Sequence, residues 1–353
     1  MSEYPFTTEL DNQVEAVRSC VGSLNVRTWG VPNEQVTIGK ISISSTGWSA
    51  RVLAGDRSFR VVHEPWDDAR LKIAQTLRLS DLSLADTELV WHDPESSVAV
   101  YTWVAGQPVF PFDKAPGQPM TAASRKALAI RLARWHSHTS ERFTVMEPEP
   151  AIWKSRRIGP AWSASAEYEQ FILASLEQNA IKAFRLAEFV NVVPRTRLRE
   201  LDSLLKWGVE SLLARMDLLA AIPSFSLLHG DLHQENILLD GDQVRFIDYE
   251  DVHYGDRAMD VAFLLENLRQ GPLLSDAEEE SLLAVYVEEL HALVGAQIDP
   301  KIPSRINLYR VYVALKFAAV TAAGFSTGSP NKINWSLLDF AMTRAGSLLS
   351  SLD

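Results

Sequence analysis

The sequence predicts an α+β fold in two lobes, a small antiparallel five-stranded N-terminal lobe with one helix and a larger, mainly helical C-terminal lobe. Three observations lead there. Polar and apolar residues alternate with a period of two through Thr37 to Ile43, Ala50 to Leu53 and Ser58 to Val62, as in half-buried strands. Glycine and proline gather just beyond the lobe, at Gly106, Pro108, Pro111, Pro116, Gly117 and Pro119, where they interrupt regular structure. From Thr121 onward, apolar residues recur mostly at three- and four-residue intervals, the spacing of one helix face.

Taken in order, Thr7 to Leu24 reads as a leading helix, with Leu10, Val14, Val17 and Val21 on one face and Thr7-Thr8-Glu9 as its capped start. The three alternating runs form a meander, and Gly55-Asp56 supplies the turn between the second and third. Trp66 to Leu79 is helical in pattern, and Thr87 to Trp91 and Val98 to Val104 complete five strands. The boundary falls near Gly106, giving lobes 1–105 and 106–353. Beyond it, helices are expected from Thr121 through Trp135 and over Ala166 to Val190, Arg197 to Ala220, Asp276 to Leu293, Ser304 to Ala323 and Ile333 to Leu349.

Composition narrows the function classes. With 353 residues and 46% hydrophobic content, the chain can bury two sizeable cores. Cys20 is the only cysteine, so disulfides within the chain and thiolate metal clusters are excluded and a reducing cytoplasm is the expected home. The start of the chain has no basic region followed by an apolar run, and Lys316 interrupts the longest apolar stretch, so a soluble protein without a membrane anchor is expected. Lys plus Arg total 34 against 45 Asp plus Glu, a net charge of −11, which disfavours capture of nucleic acid or an anionic membrane. The same acidity suits a cationic small substrate or plain solubility.

The chemistry concentrates in Leu228-His229-Gly230-Asp231-Leu232-His233-Gln234-Glu235-Asn236, with Val244-Arg245-Phe246-Ile247-Asp248 after it. A carboxylate stands five residues before a carboxamide on a loop, and a second carboxylate follows twelve residues later at the end of a strand. Magnesium takes hard oxygen ligands, and an attacking hydroxyl needs a carboxylate to orient it and take its proton. Asp231, Asn236 and Asp248 supply that set. Turn formation by the Asp and Asn side chains is the plain alternative.

His229-Gly230-Asp231 with Asn236 resembles the catalytic loop of the aminoglycoside phosphotransferase and choline kinase-like family, within the protein-kinase-like superfamily. Ile247-Asp248-Tyr249-Glu250 is similar to that family's metal-binding segment, and Gly255-Asp256-Arg257-Ala258-Met259-Asp260-Val261-Ala262 to the segment after it. The resemblance implies a two-lobed protein-kinase-like fold and Mg²⁺-dependent transfer of the γ-phosphate of ATP, or of GTP, to a small-molecule hydroxyl. Asp231 would be the catalytic base, Asn236 and Asp248 the magnesium ligands. His229, Gly230 and Asp260 would support the loop, with the His229 ring tying it to the metal-binding segment. His233, Glu250 and Asp251 are candidates for acceptor contact, with loop packing for His233 and a solvated face for the two acids as alternatives.

In the small lobe the resemblance assigns the nucleotide to Ser45, Thr46 and Gly47 in the first turn, to the backbone of Thr102, Trp103 and Val104, and to a cation on the third strand. Arg60 is the candidate for that cation, with Asp67 or Asp68 as its partner and His63, of opposite strand parity, as the alternative. The acceptor is expected to be an aminoglycoside or another hydroxyl-bearing antibiotic. Metabolic kinases for choline, homoserine or methylthioribose share the motifs, and a catalytically silent nucleotide-binding protein is the reading from another class. Oligomeric state has no signature in the sequence. Specificity is expected to reside in the helical insertion from Ala164 to Ala220.

Overall fold

A computed structural model describes residues 6–24, 29–43, 47–64, 66–109, 120–140, 172, 176, 180–190, 192–220, 222, 224–249, 251–270, 274–295, 299–324 and 333–352. The chain divides into two compact units, Met1–Gly106 with Arg245–Glu250, and Gln107–Val244 with Asp251–Asp353.

The first unit is built on an antiparallel sheet of β1 (Val36–Ile43), β2 (Trp48–Ala54), β3 (Arg57–His63), β5 (Val98–Thr102) and β4 (Leu89–Asp93), in that spatial order. Alternation gives the sheet two apolar faces. Ala50, Val52 and Ala54 of β2 share one face with Phe59 and Val61 of β3 and Val98 and Val100 of β5, against Val17 and Val21 of α1 (Phe6–Ser23) and the buried Trp29. Val62, Ala99 and Tyr101 point the other way, against Ile73 of α2 (Trp66–Asp81). Arg60 is paired with Tyr101 across the sheet and so shares this α2 face. Gly55, with φ of +63°, opens the two-residue turn that sets Ala54 opposite Arg57.

In the second unit the helices are α3 (Ala122–Ser137), α4 (Lys182–Val190), α5 (Arg195–Leu213), α6 (Asp217–Ala220), α7 (Arg257–Gln270), α8 (Asp276–Val294), α9 (Ile302–Ala322) and α10 (Trp335–Ser350). Side-chain caps start several of them: Thr121 accepts from the Ser124 amide at 3.0 Å, Asn334 from Leu337 at 3.1 Å, and Ser275 with Glu278 closes a capping box. Helix α9 packs along α7 and α10, and α8 along α3. The described residues also form two three-stranded sheets, in the orders β10 (Gln243–Phe246, whose last two residues are counted with the first unit), β9 (Ile237–Asp240), β6 (Gln107–Pro108), and β11 (His253–Gly255), β8 (Phe225–Leu228), β7 (Thr139–Ser140).

Several expectations need adjustment. The helix expected over Arg197 to Ala220 is two helices, because the chain turns at Ala214–Met216, where the Arg215 guanidinium donates to the carbonyls of Ser211 and Leu352. Strand β5 ends at Thr102, short of Val104. Strands β6 and β7, of two residues each, leave too short a pattern to read. Most of the helix expected over Ala166 to Val190 lies outside the described residues, which end it in α4. Among the described residues no helix is long and apolar enough to cross a membrane.

Buried charge in this unit is compensated. Glu266 of α7, 1% exposed, accepts from Arg310 at 2.5 Å and from Arg344 at 2.9 Å, while Arg310 also reaches Glu279, which in turn receives Arg269 at 2.9 Å. Removing one member of such a set leaves a buried charge without its counterpart. Arg310→Met is expected to destabilise the chain by about 3 kcal/mol, the low end for a broken buried pair because Arg344 and Arg269 remain. Urea unfolding should show a lower midpoint, and an unchanged midpoint would contradict the assigned role.

Candidate active site

The loop from His229 to Asn236 joins β8 to β9 in the second unit. Its entry is fixed by Asp260, which projects from the first turn of α7 and is 1% exposed. The amide of His229 donates to Asp260 Oδ2 at 2.7 Å and that of Gly230 to Oδ1 at 3.0 Å. Gly230 has φ of +83°, and a Cβ there would lie 2.3 Å from the Asp251 carbonyl oxygen, so the position admits only glycine without backbone movement. The His229 ring is fully buried and packs on Trp135 with centroids 5.4 Å apart.

A second layer holds Asp260. His136 lies with Nε2 3.4 Å from Asp260 Oδ2 and Nδ1 2.7 Å from the Tyr286 hydroxyl. Burial pushes the His136 pKa down, outweighing the carboxylate beside it, so the ring is neutral. The bonding then has one consistent direction: the Tyr286 hydroxyl donates to Nδ1, and Nε2–H donates to Asp260. Burial also pushes the Tyr286 hydroxyl pKa far up, which keeps it a donor. Burial opposes ionisation of Asp260, but the His136 bond and the amide of His229 outweigh it and hold the carboxyl below the usual range.

Inside the loop, Asn236 spends its Nδ2 on the Asp231 carbonyl at 2.9 Å and on Asp231 Oδ2 at 3.3 Å. The His233 amide donates to the Asp231 carbonyl at 2.9 Å, and the Asn236 amide to the His233 carbonyl at 3.0 Å. Because the Glu235 amide donates to His233 Nδ1 at 3.2 Å, the ring proton of neutral His233 belongs on Nε2, which faces Asp231 Oδ2 at 3.4 Å. Burial opposes ionisation of Asp231, yet the His233 bond, with the positive charge of Lys316 adding to it, lowers its pKa. A carboxylate held ionised and partly open at a loop tip can orient a hydroxyl and accept its proton. Asp251 contributes its carbonyl to His253 Nδ1 at 2.7 Å, while Glu250 lies outside the described residues.

Asp248 belongs to the first unit, in a left-handed conformation with φ of +66°. The segment is fastened there by Asp86, whose Oδ2 accepts from the Phe246 amide at 2.8 Å, and by the Tyr249 hydroxyl, which donates to the Phe246 carbonyl and accepts from the Asp86 amide at 2.8 Å. Beside Asp248 stands Lys72 of α2, with Nζ 3.4 Å from Oδ1 and 2.8 Å from Glu64 Oε1. The sequence reading missed Lys72, Glu64, Asp86 and Tyr249. Counting the strand period one step past β3 finds Glu64 on the parity of Arg60 and Val62; no comparable signal marks Asp86.

The other small-lobe candidates are placed as follows. Ser45 and Thr46 lie outside the described residues, as do the side chains of Asp67 and Asp68. A Cβ at Gly47 would lie 2.0 Å from the His63 carbonyl oxygen, so this glycine serves close passage of two strands. The His63 ring stacks on Trp48 with planes 6° apart and centroids at 5.7 Å, on the face opposite Arg60. The Thr102 amide donates to Glu88 and its carbonyl accepts from the Thr87 hydroxyl, while the Trp103 amide donates to Ser58. Those groups serve the sheet; of the three residues expected at the nucleotide, the Trp103 carbonyl and the Val104 backbone have no such bond described.

Lowered carboxyl pKa values set the sign of the acid response. Asp260 and Asp231 favour folding above the ordinary Asp value of about 3.9, and their contribution is lost as pH falls through the lower folded-state values. Asp260→Asn turns an amide N–H₂ toward donors that need an acceptor, with an expected loss of about 1–3 kcal/mol. The stability difference between wild type and variant should shrink as pH drops below about 4, followed by chemical denaturation at each pH. A difference independent of pH would contradict the role given to the charge.

A search of curated protein sequences finds no significant match. Among solved structures, the chain is similar to aminoglycoside phosphotransferase APH(4)-Ia, with a TM-score of 0.62 at 13% identity over 96% of this chain and 99% of that one. It is also similar to a Plasmodium vivax ethanolamine kinase, with a TM-score of 0.57 at 14% identity over 94% and 87%. A third is the choline kinase LicA of Streptococcus pneumoniae, with a TM-score of 0.54 at 15% identity over 89% and 94%. At these identities the likeness establishes the protein-kinase-like fold. The family profile described as phosphotransferase enzyme family matches residues 68–293, well over half of the sequence, and the chain belongs to that family.

Proposed function

We propose that the chain is an ATP-dependent O-phosphotransferase, requiring Mg²⁺, that moves a γ-phosphoryl group to a hydroxyl of a small molecule, with aminoglycosides and other hydroxyl-bearing antibiotics as the first acceptor class. The observation that carries this reading is Asp231, kept ionised at the tip of a loop whose backbone is pinned through Asp260. In this reading Asp231 aligns the acceptor hydroxyl and receives its proton. The transition state of such transfers is loose, so positioning matters more than basicity.

The donor chemistry suits magnesium. Asn236 keeps its nitrogen inside the loop, which leaves its amide oxygen available as a ligand, and the family resemblance assigns Asp248 as the second. Among the described residues no group of three or more His, Cys, Asp or Glu could hold a metal by itself. Magnesium does not need one, since it retains waters and takes substrate phosphates with one or two protein oxygens. When bound, the ion neutralises charge on the transferring phosphate. The purine edge is assigned to the Trp103 carbonyl and Val104, with ATP as the donor and GTP as the alternative.

A net charge of −11 suits a cationic acceptor, which aminoglycosides and amino alcohols both are, so a second reading as a metabolic kinase for an amino alcohol such as choline or ethanolamine rests on the structural neighbours. Choline and ethanolamine kinases are among the structural neighbours. Magnesium-dependent ADP release, measured across a panel of aminoglycosides, macrolides, amino alcohols and hydroxylated metabolites, separates the two. Turnover with one class is expected, and Asp231→Asn should reduce it by about 10²–10⁴-fold. Tight Mg·ATP binding with no turnover on any acceptor would instead identify a silent nucleotide-binding protein.

A further inference from the structure

We infer that the nucleotide's phosphates are held by Lys72 of helix α2, oriented by Glu64 just past β3, so that the cation stands on the helix and its carboxylate partner beyond the strand's end. This rests on the phosphotransferase reading and reverses the arrangement expected from the sequence, in which Arg60 on β3 carries the charge. Three observations point to it. Glu64 follows β3 with its amide donating to the Ser97 carbonyl at 3.3 Å, which fixes the residue at the sheet end. Its Oε1 lies 2.8 Å from Lys72 Nζ, while its Oε2 is buried without a hydrogen-bond partner. The same Nζ lies 3.4 Å from Oδ1 of Asp248, the carboxylate assigned to magnesium.

Charge and burial decide between Lys72 and its rivals. Lys72 and Glu64 are each 17% exposed at the side chain, so water screens their attraction incompletely. Two carboxylates share the Lys72 ammonium here, an arrangement that suits a triphosphate arriving with a divalent cation. An ammonium within 3.4 Å of a magnesium-binding carboxylate is in reach of the phosphate oxygens that share the ion. His63 is engaged by Trp48 on the opposite face of the sheet. Arg60 faces α2, but the basic group brought to Asp248 is that of Lys72.

The test is direct binding of Mg·ATP and of adenosine to the full chain, read by calorimetry. Lys72→Met should weaken Mg·ATP by about ten- to a hundredfold, the range for a lost hydrogen bond to a charged group, while adenosine affinity holds. Glu64→Lys should also weaken Mg·ATP, and the exchanged pair Glu64→Lys with Lys72→Glu should recover most of the loss, which simple removal of structure would not do. As a measurement free of variants, Mg·ATP but not adenosine should protect Lys72 of the wild type from amine acetylation, followed by mass spectrometry. Unchanged Mg·ATP affinity in Lys72→Met, a larger loss in Arg60→Met, or no protection of Lys72 would overturn the inference while leaving the phosphotransferase reading in place. Failure of the wild type to bind Mg·ATP would overturn both.

Discussion

One buried carboxylate organises the candidate loop of the second unit. Asp260 accepts the amides of His229 and Gly230 together, and so sets the direction in which the chain enters the loop bearing Asp231 and Asn236. A carboxylate with little exposure survives in the charged form only if donors surround it, and here two amides and the His136 ring do so. Neutral His136 is itself fixed by the Tyr286 hydroxyl. The chain Tyr286, His136, Asp260 thus ties the loop to helices α8, α3 and α7, and the loop inherits the rigidity of packed helices.

Those helices are held by the same logic at larger scale. Asp256, just before α7, receives Arg305 of α9 at 2.6 Å, and Glu266 on α7 receives Arg310 and Arg344 from α9 and α10. Buried ion pairs of this kind contribute little net stability over apolar packing, yet a misplaced partner is costly. Their value is in fixing how α7 lies against α9 and α10. Asp248, in the first unit, depends on a separate set: Asp86 and Tyr249 fasten its segment, and a left-handed backbone aims its carboxylate toward Lys72. Such a conformation in a residue other than glycine costs of order 1–3 kcal/mol, and surrounding bonds must maintain it.

Much of this was legible in the sequence, for physical reasons that particular residues display. Period-two alternation found β1, β2 and β3, because a sheet covered by helices on both faces still needs its apolar residues at fixed parity. The Gly55 turn was readable because its backbone favours glycine. Asp260 was readable as a brace, since an acidic residue in the first turn of a helix has donors nearby to meet. Lys72 was not readable: on an amphipathic helix a lysine resembles any solvated residue, and only the fold brings it to Glu64 and Asp248. Asp86 and Tyr249 are separated by 163 positions and act by geometry alone. The commitment of Thr102 and Trp103 to the sheet depends on bonds to their backbone that their own side chains do not announce.

The central claim is that this chain passes phosphate to an alcohol. Phosphorus NMR of the protein with Mg·ATP and a mixture of aminoglycosides and amino alcohols reads that event at the atom that moves. The account predicts a phosphate monoester resonance that grows in step with ADP. Persistence of ATP unchanged, or ADP formed with inorganic phosphate alone, would contradict it.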